Sequence, residues 1–206
     1  MHLRRTSLRA LAALLALSSL AFLSGCQTGG ARVIDSSGPE TITSLDQIDI
    51  QDWESAASDM VDSLLVSGVL ERAPTTPAVL VISRIVNNTQ QQVDTDSLVK
   101  KIRVALNQTG KVATATTIGL DGRVEDPLAR DSAAMKQFIE GEEGPRLPQP
   151  HFSLSGKLLE NRTRAGSTRQ VTYTFQLSLT EIASGLAVWE DERQITKQGK
   201  RPSVGW

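Results

Sequence analysis

Two segments of the chain carry apolar residues at three- and four-residue spacing, which is the period of one face of a helix. The first segment begins at Asp49 or Asp52, either of which can cap a helix, and it ends near Gly68. The second follows the cap residues Asp94–Asp96 and stops at Gly110. The apolar positions are Trp53, Ala56, Ala57, Met60, Val61, Leu64 and Leu65 in the first segment and Leu98, Val99, Ile102, Ala105 and Leu106 in the second. Each pattern predicts a helix that packs one face against a sheet.

A third helix is predicted to start at Asp126 and to end at Gly141. Asp126 can cap it, and Pro127 suits the first turn, where a missing backbone N–H costs nothing. The segment then turns polar and rich in glycine and proline, which ends a helix. Its large apolar residues are Leu128, Met135, Phe138 and Ile139.

The strand segments follow a different pattern. The run from Ala78 to Val86 is almost continuously apolar, which is typical of a central strand buried on both faces. Residues 111–117 form a shorter β-rich segment. The strands predicted by alternation of apolar and polar residues in the last third lie within 152–158, 171–179 and 186–195. The order of these elements predicts an α/β fold, in which a small mixed β-sheet is covered by helices.

The first 25 residues have the features of a secretory signal peptide. Three arginines precede an apolar run over 10–23, which is shorter than the about 20 residues that a spanning helix needs. The string Leu-Ser-Gly-Cys that ends at Cys26 resembles the lipobox of bacterial lipoproteins, in which the thiol is acylated and cleavage occurs before the cysteine. This resemblance implies lipidation at Cys26, and Gln27 after it implies sorting to the outer membrane.

The residues after Cys26 have the composition of a flexible tether, rich in Gly, Ser, Thr, Asp and Gln. The 23 residues from Gln27 to Asp49 span about 25 Å on average and about 80 Å when fully stretched. The predicted organisation is a signal peptide over 1–25, a lipidated cysteine and tether over 26–49, and one globular α/β domain over 50–206.

Charge argues against a nucleic-acid partner. The chain has 22 Lys and Arg against 23 Asp and Glu, and loss of the three leader arginines would leave 19 basic residues against 23 acidic ones. Binding to a phosphate backbone depends on clustered basic residues, which an acidic balance does not favour. Cys26 is the single cysteine, so an intramolecular disulfide and a cysteine-rich metal site are both excluded.

The sequence lacks the usual constellations of an enzyme. His151 is the one histidine outside the leader, and nucleophilic hydrolases ordinarily need a base of this kind beside the nucleophile. No G-x-S-x-G elbow, H-E-x-x-H helix or phosphate-binding loop occurs. Glu190 and Glu192 share one side of a strand and could raise one another's pKa, although a solvated strand edge explains them more simply. We therefore expect no enzymatic activity, no catalytic residues, no metal and no cofactor.

Basic residues gather at two places in the last third. Arg162, Arg164 and Arg169 lie at a predicted turn, and a second group is Lys197, Lys200 and Arg201. These residues are either a solvated hairpin or a docking patch for an acidic partner, in which case charge would accelerate association. Arg162 and Arg164 are the candidate partner-binding residues.

The order of several strings resembles the LpoB family of outer-membrane lipoproteins. They are "VLVISRIVNNTQQQVDTDSLVKKIRVALNQTGK" from Val79, "FSLSGKLLENRT" from Phe152, "YTFQLSLTEIASGLAVWEDERQITKQG" from Tyr173 and the terminal Gly205-Trp206. The resemblance implies a fold similar to the amino-terminal domain of TolB. It also implies an activator, which we expect to be monomeric, that binds a non-catalytic docking domain of a bifunctional class A penicillin-binding protein and stimulates peptidoglycan synthesis. The tether is shorter than the long Pro-rich tether of the best-known activators of this kind.

A second function stays open on sequence grounds, namely a periplasmic adaptor or a secretion-pore-associated lipoprotein. Such pores need hairpins whose outer face is apolar. In residues 151–195, polar Thr, Ser and Gln alternate with the apolar residues that the core itself requires. This composition favours the synthase activator.

Overall fold

The computed structural model describes residues 31–36, 38–117, 124–141 and 149–200. The predicted signal peptide, Cys26 and the terminal Gly205-Trp206 lie outside the described residues. The elements in chain order are helix α1 (Ile50–Val66), a 3-10 turn (Val69–Arg72), strand β1 (Ala78–Asn88), helix α2 (Thr95–Gln108), strand β2 (Val112–Thr114), helix α3 (Pro127–Glu140), strand β3 (Phe152–Ala165), strand β4 (Thr168–Glu181) and strand β5 (Leu186–Lys200). The α/β fold class predicted from the sequence is confirmed.

Each of the three helices has an aspartate as its N-cap residue. Asp49 is the N-cap of α1, and the carboxylate of Asp52 accepts a hydrogen bond from the Asp49 backbone N–H at 2.7 Å. Asp94 caps α2 by accepting from the Asp96 backbone N–H at 2.9 Å, and Asp126 caps α3 by accepting from that of Ala129 at 2.9 Å. Each cap satisfies a backbone donor that has no partner inside the helix, which explains where each helix begins.

The five strands form one mixed sheet in the order β2-β1-β3-β4-β5. Strand β1 is parallel to both β2 and β3, whereas β3, β4 and β5 are antiparallel to one another. The pairing of β2 with β1 covers only Ala78 to Leu80. Strand β1 is therefore a central strand, as predicted, over its first three residues, and farther along it pairs with β3 only.

Helices α1 and α2 pack on one face of the sheet. The core between them contains Met60, Leu64, Ile102 and Leu106 from the helices, all of them at most 2% exposed. The inward-facing sheet residues are Leu80, Phe152, Leu154, Leu158, Val171, Tyr173, Phe175, Leu177 and Leu179. This alternation confirms the predicted period of two, with polar residues such as Thr172 and Gln176 on the opposite face.

Helix α3 does not take part in this core. None of its described residues is buried, and Leu128 and Phe138 are 77% and 86% exposed. The bounds predicted for the helix are confirmed, but the expectation of a sheet covered by helices holds for α1 and α2 only. An amphipathic pattern specifies a helix with an apolar stripe, and it does not specify what the stripe contacts.

The end of the predicted tether packs on the sheet. Leu45 and Ile48 are partly buried against the core, and Leu45 lies beside Gly199 of β5, where an added Cβ would be 3.1 Å from its Cδ2. The compact unit begins at Ser36. Part of the predicted tether therefore packs on the sheet, and the domain boundary near residue 50 stays a prediction.

Candidate functional site

The two candidate docking arginines lie on β3, close to its turn with β4. Arg162 contacts the carboxylate of Glu160, and its Nη1 is 2.8 Å from Oδ1 of Asp46 in the segment before α1. The hydrogen bond to Glu160 is the largest cause of a raised pKa of Arg162. Arg169 approaches the same Asp46 oxygen at 3.2 Å. Most of the charge of Arg162 is thus directed at the protein's own carboxylates.

Arg164 is the free member of the predicted pair. Its Nε donates to the backbone carbonyl of Gly166 at 3.1 Å, and it has no carboxylate partner among the described residues. It lines a shallow depression of about 370 Å³, together with Arg162, Arg169 and Gln170. The structure therefore brings the predicted arginines together but leaves Arg164 as the cation that a partner can reach.

The second predicted basic group does not form a surface. Lys197 is only 8% exposed, and its Nζ lies 2.7 Å from Asp49 and 2.6 Å from Asp52 and donates to the carbonyl of Gln47. Burial lowers the pKa of Lys197, but the hydrogen bonds and charges of the two aspartates outweigh it and leave the pKa above its ordinary value. Lys200 is exposed, and Arg201 lies outside the described residues.

Lys197 acts as a clamp between the sheet and the start of α1. It joins β5 to the N-cap and the first turn of the helix, and its Nζ is also 5.7 Å from the ring centre of Tyr173. Sequence reasoning assigned this lysine to the surface because it lies among polar neighbours. The alternation of residues along β5 indicates the inward direction of Lys197, since it is two residues from Ile195 and therefore points to the same side of the strand.

The groups that could have supported catalysis have structural roles. Nδ1 of His151 accepts a hydrogen bond from the Val79 backbone N–H at 3.0 Å, which ties β3 to β1. Glu192 accepts hydrogen bonds from Gln176 and Gln194, and the bond from Gln176 is the largest cause of its lowered pKa. Glu190 accepts a hydrogen bond from the Ser178 hydroxyl at 2.8 Å, so both exposed carboxylates are held by polar neighbours at the strand edge.

The described residues carry neither a metal-binding cluster nor a membrane-spanning helix. No group of three or more His, Cys, Asp and Glu side chains there is arranged to hold a metal ion. No helix in this part of the chain combines the length and apolarity needed to cross a membrane. What the described surface offers is charge, exposed apolar side chains and strand edges, which are means of binding another macromolecule.

Comparison with known sequences gives one family match. The family described as "Peptidoglycan-synthase activator LpoB" matches residues 52–195, from the first turn of α1 to β5. No curated protein sequence matches the chain.

Comparison with solved structures gives similar folds at low identity. The LpoB C-terminal domain from Escherichia coli has 18% identity and a TM-score of 0.43, with 70% of this chain and 98% of that chain covered. The NMR structure of E. coli LpoB has 17% identity and a TM-score of 0.40, with 85% and 86% covered. Lipoprotein GNA1162 from Neisseria meningitidis has 13% identity and a TM-score of 0.38, with 62% and 88% covered.

Proposed function

This chain belongs to the LpoB family of peptidoglycan-synthase activators, and from that membership we propose that it binds and activates a class A penicillin-binding protein. The observation that carries the proposal is the extent of the family match, which runs from the first turn of α1 to residue 195 in β5 and so includes part or all of every strand of the sheet. The alternative of a secretion-pore adaptor gains no support from this membership.

The protein acts in this proposal by binding and not by chemistry. His151 accepts a hydrogen bond from a backbone N–H, and Glu192 accepts hydrogen bonds from two glutamines, which supports a binding role. An activator of this kind binds the active conformation of the synthase more tightly than the inactive one, and it shifts the population only by that difference in affinity.

The location that we propose is the periplasmic face of the outer membrane. Acyl chains on Cys26 would anchor the protein, since each buried methylene contributes about 0.8 kcal/mol. Replacement of Cys26 by Ser should abolish incorporation of a radioactive fatty acid and leave the chain unprocessed or mislocalised. Wild-type protein that takes up no label would contradict the anchor.

The direct test adds the purified full-length protein to a purified class A penicillin-binding protein with its lipid-linked precursor. Glycan-chain or crosslink formation should rise with the concentration of the added protein and should saturate. Unchanged synthesis would contradict activation. Turnover of peptidoglycan by the protein alone would contradict a purely binding role.

The docking patch that we propose is centred on Arg164. Arg164→Glu should slow association with the synthase and reduce its dependence on salt, because a free cation steers an acidic partner over a distance. Arg162→Glu is a poorer test, because the new carboxylate would also be repelled by Asp46 and Glu160 within the protein itself. Lys157→Glu is the matched control, because this exposed lysine lies on the same strand outside the arginine group. Equal association rates for the two variants would place the docking surface elsewhere.

A further inference from the structure

Strand β1 has an open edge beside the core of the sheet. Strand β2 pairs with β1 only as far as Leu80, and from Ile82 to Asn88 the described residues provide a strand partner on the β3 side only. Backbone N–H and C=O groups along such an edge are available to another extended chain, which is the basis of recognition by strand addition.

A groove of about 910 Å³ runs along this edge. It is lined by β1 over residues 82–87, by the side of α2 that carries Val99, Lys100 and Arg103, and by residues 115–116 and 124–125 of the chain that follows β2. Glu125 closes one end, held by Lys100 at 2.8 Å and by contact with Arg103. The groove therefore lies between a strand and the helix packed next to it.

The lining of the groove combines apolar side chains with the charged side chains of Arg84, Asp96, Lys100, Arg103 and Glu125. Ile82, Val93 and Val99 are partly buried side chains packed against the core, and Val86 is also half-buried. Arg84 lies in the register shift between Ile82 and Ile85, is exposed, and has no ion-pair partner among the described residues. Lys100 and Arg103 share the single carboxylate of Glu125, whereas Arg84 is the cation of the groove that has no carboxylate partner among the described residues.

The opposite edge of the sheet is protected in a way that β1 is not. Strand β5 presents the charged residues Glu190, Glu192 and Lys200 along its exposed length. Charged side chains on an edge strand prevent unwanted pairing. On the open length of β1, Arg84 is the one charged residue.

We propose that an extended segment of the synthase partner adds to β1 as a further strand over residues 82–88, with apolar side chains in the groove and an acidic side chain at Arg84. This inference rests on the proposed function, because the synthase supplies the segment. A strand is the occupant that can pair with the backbone groups of residues 82–88 for which the described residues provide no strand partner, and seven residues of strand span about 20 Å. A second copy is disfavoured, since antiparallel pairing about Ile85 would place the two Arg84 side chains on neighbouring diagonal positions.

Residue-resolved hydrogen exchange of the full-length protein, alone and with a purified class A penicillin-binding protein, tests the proposal. The amides of residues 82–88 that point away from β3 should exchange readily in the free protein and at least about tenfold more slowly at saturation. Binding without this protection overturns strand addition and leaves the activator function intact. Absence of binding, measured separately by surface plasmon resonance, overturns both strand addition and the activator function. Amides that are already protected in the free protein show that the edge is occupied by its own chain or by a second copy, which also overturns the proposal.

A charge reversal isolates the acidic contact. Arg84→Glu should weaken the affinity for the synthase by about tenfold or more without a change in Tm, because Arg84 is exposed and unpaired. Lys157→Glu is again the control, since Lys157 is an exposed lysine of β3, the strand on the paired side of β1, and it does not line the groove. It should change the affinity by less than about twofold. Equal affinities for the two variants would overturn an acidic segment at Arg84.

Discussion

Lys197 is a single residue on which the stability of this fold depends, because it pairs with two carboxylates in the protein interior. Its ammonium group lies between Asp49 and Asp52 and is almost completely withdrawn from water. Buried charges of this kind are tolerated because each has a partner, so removal of one member leaves the others uncompensated. The lysine is a structural residue, although it lies in a polar stretch of sequence.

Replacement of Lys197 should therefore be strongly destabilising. We expect Lys197→Met to lower the free energy of unfolding by about 3–5 kcal/mol, because two buried carboxylates lose their counter-charge. Lys200→Met, on the same strand but exposed, should change it by less than about 0.5 kcal/mol. Urea titration of the two variants measures the difference. Equal stabilities would show that the clamp contributes nothing.

The clamp also predicts a dependence on pH. The pKa of Lys197 in the folded protein lies above its ordinary value of 10.5, so its contribution is complete below that value. As the pH rises through the folded-state pKa, the ammonium group loses its proton and the contribution is lost. Wild type should lose more stability than Lys197→Met between neutral pH and pH about 11, as measured by urea titration at each pH. Parallel losses in both proteins would assign the effect to other groups.

Gly156 of β3 is required by a close approach of two strands. A Cβ at this position would lie 2.5 Å from the carbonyl oxygen of Gln176 and 2.7 Å from Cδ2 of Leu177. Gly156→Ala should destabilise the protein by about 1–3 kcal/mol, since the backbone of β4 must shift. Ser155→Ala, one residue away on the opposite face, should stay within about 0.5 kcal/mol of wild type. Thermal unfolding of both variants tests this, and a neutral Gly156→Ala would show that the strands can separate at low cost.

At the scale of elements, helices with similar patterns have different surroundings. Helix α1 packs Leu64 into the core at 2% exposure, whereas α3 leaves Phe138 at 86%. The segment that precedes α1 is fixed to the sheet although it has no regular secondary structure, because Asp46 pairs with Arg162 and Asp49 pairs with Lys197. Packing partners, and not periodicity, distinguish these cases.

A matched pair of truncations measures this difference between helices. Leu64→Ala should cost about 2–5 kcal/mol, because it opens a cavity in the core. Phe138→Ala should change the stability by less than about 0.5 kcal/mol, as for an ordinary surface substitution. Chemical unfolding monitored through the tryptophans gives both values. A large loss for Phe138→Ala would mean that α3 is packed in solution.

At the scale of the whole molecule, the compact unit begins before α1, at Ser36. A chain that starts at residue 50 lacks Asp46, the N-cap Asp49 and the packed Leu45, and its Lys197 retains only one carboxylate. We expect it to be less stable than a chain that starts at Ser36 by about 2–4 kcal/mol, from the lost cap and the broken ion cluster. Urea unfolding compares the two. Equal midpoints would show that residues 36–49 add no stability and would support the predicted boundary near residue 50.

The sequence alone determined the helices, the strands and the fold class. Caps such as Asp94 and Asp126, the apolar run of β1 and the alternation along β4 are local signals, because hydrogen-bonding partners in a helix and facing directions in a strand repeat every few residues. The order of matching strings was also sufficient to indicate the family, which the match over residues 52–195 confirms.

Only the tertiary structure decided which of these residues meet. Lys197 contacts Asp49 across 148 positions of sequence, and Arg162 contacts Asp46 across 116, so no local period predicts either pair. Local periods also do not predict that the apolar side chains of α3 stay exposed. Nor do they predict that, among the described residues, β2 pairs with only three residues of β1. The physical reason is that patterning states which side of an element is apolar or charged, whereas the assembly of all elements decides what that side contacts.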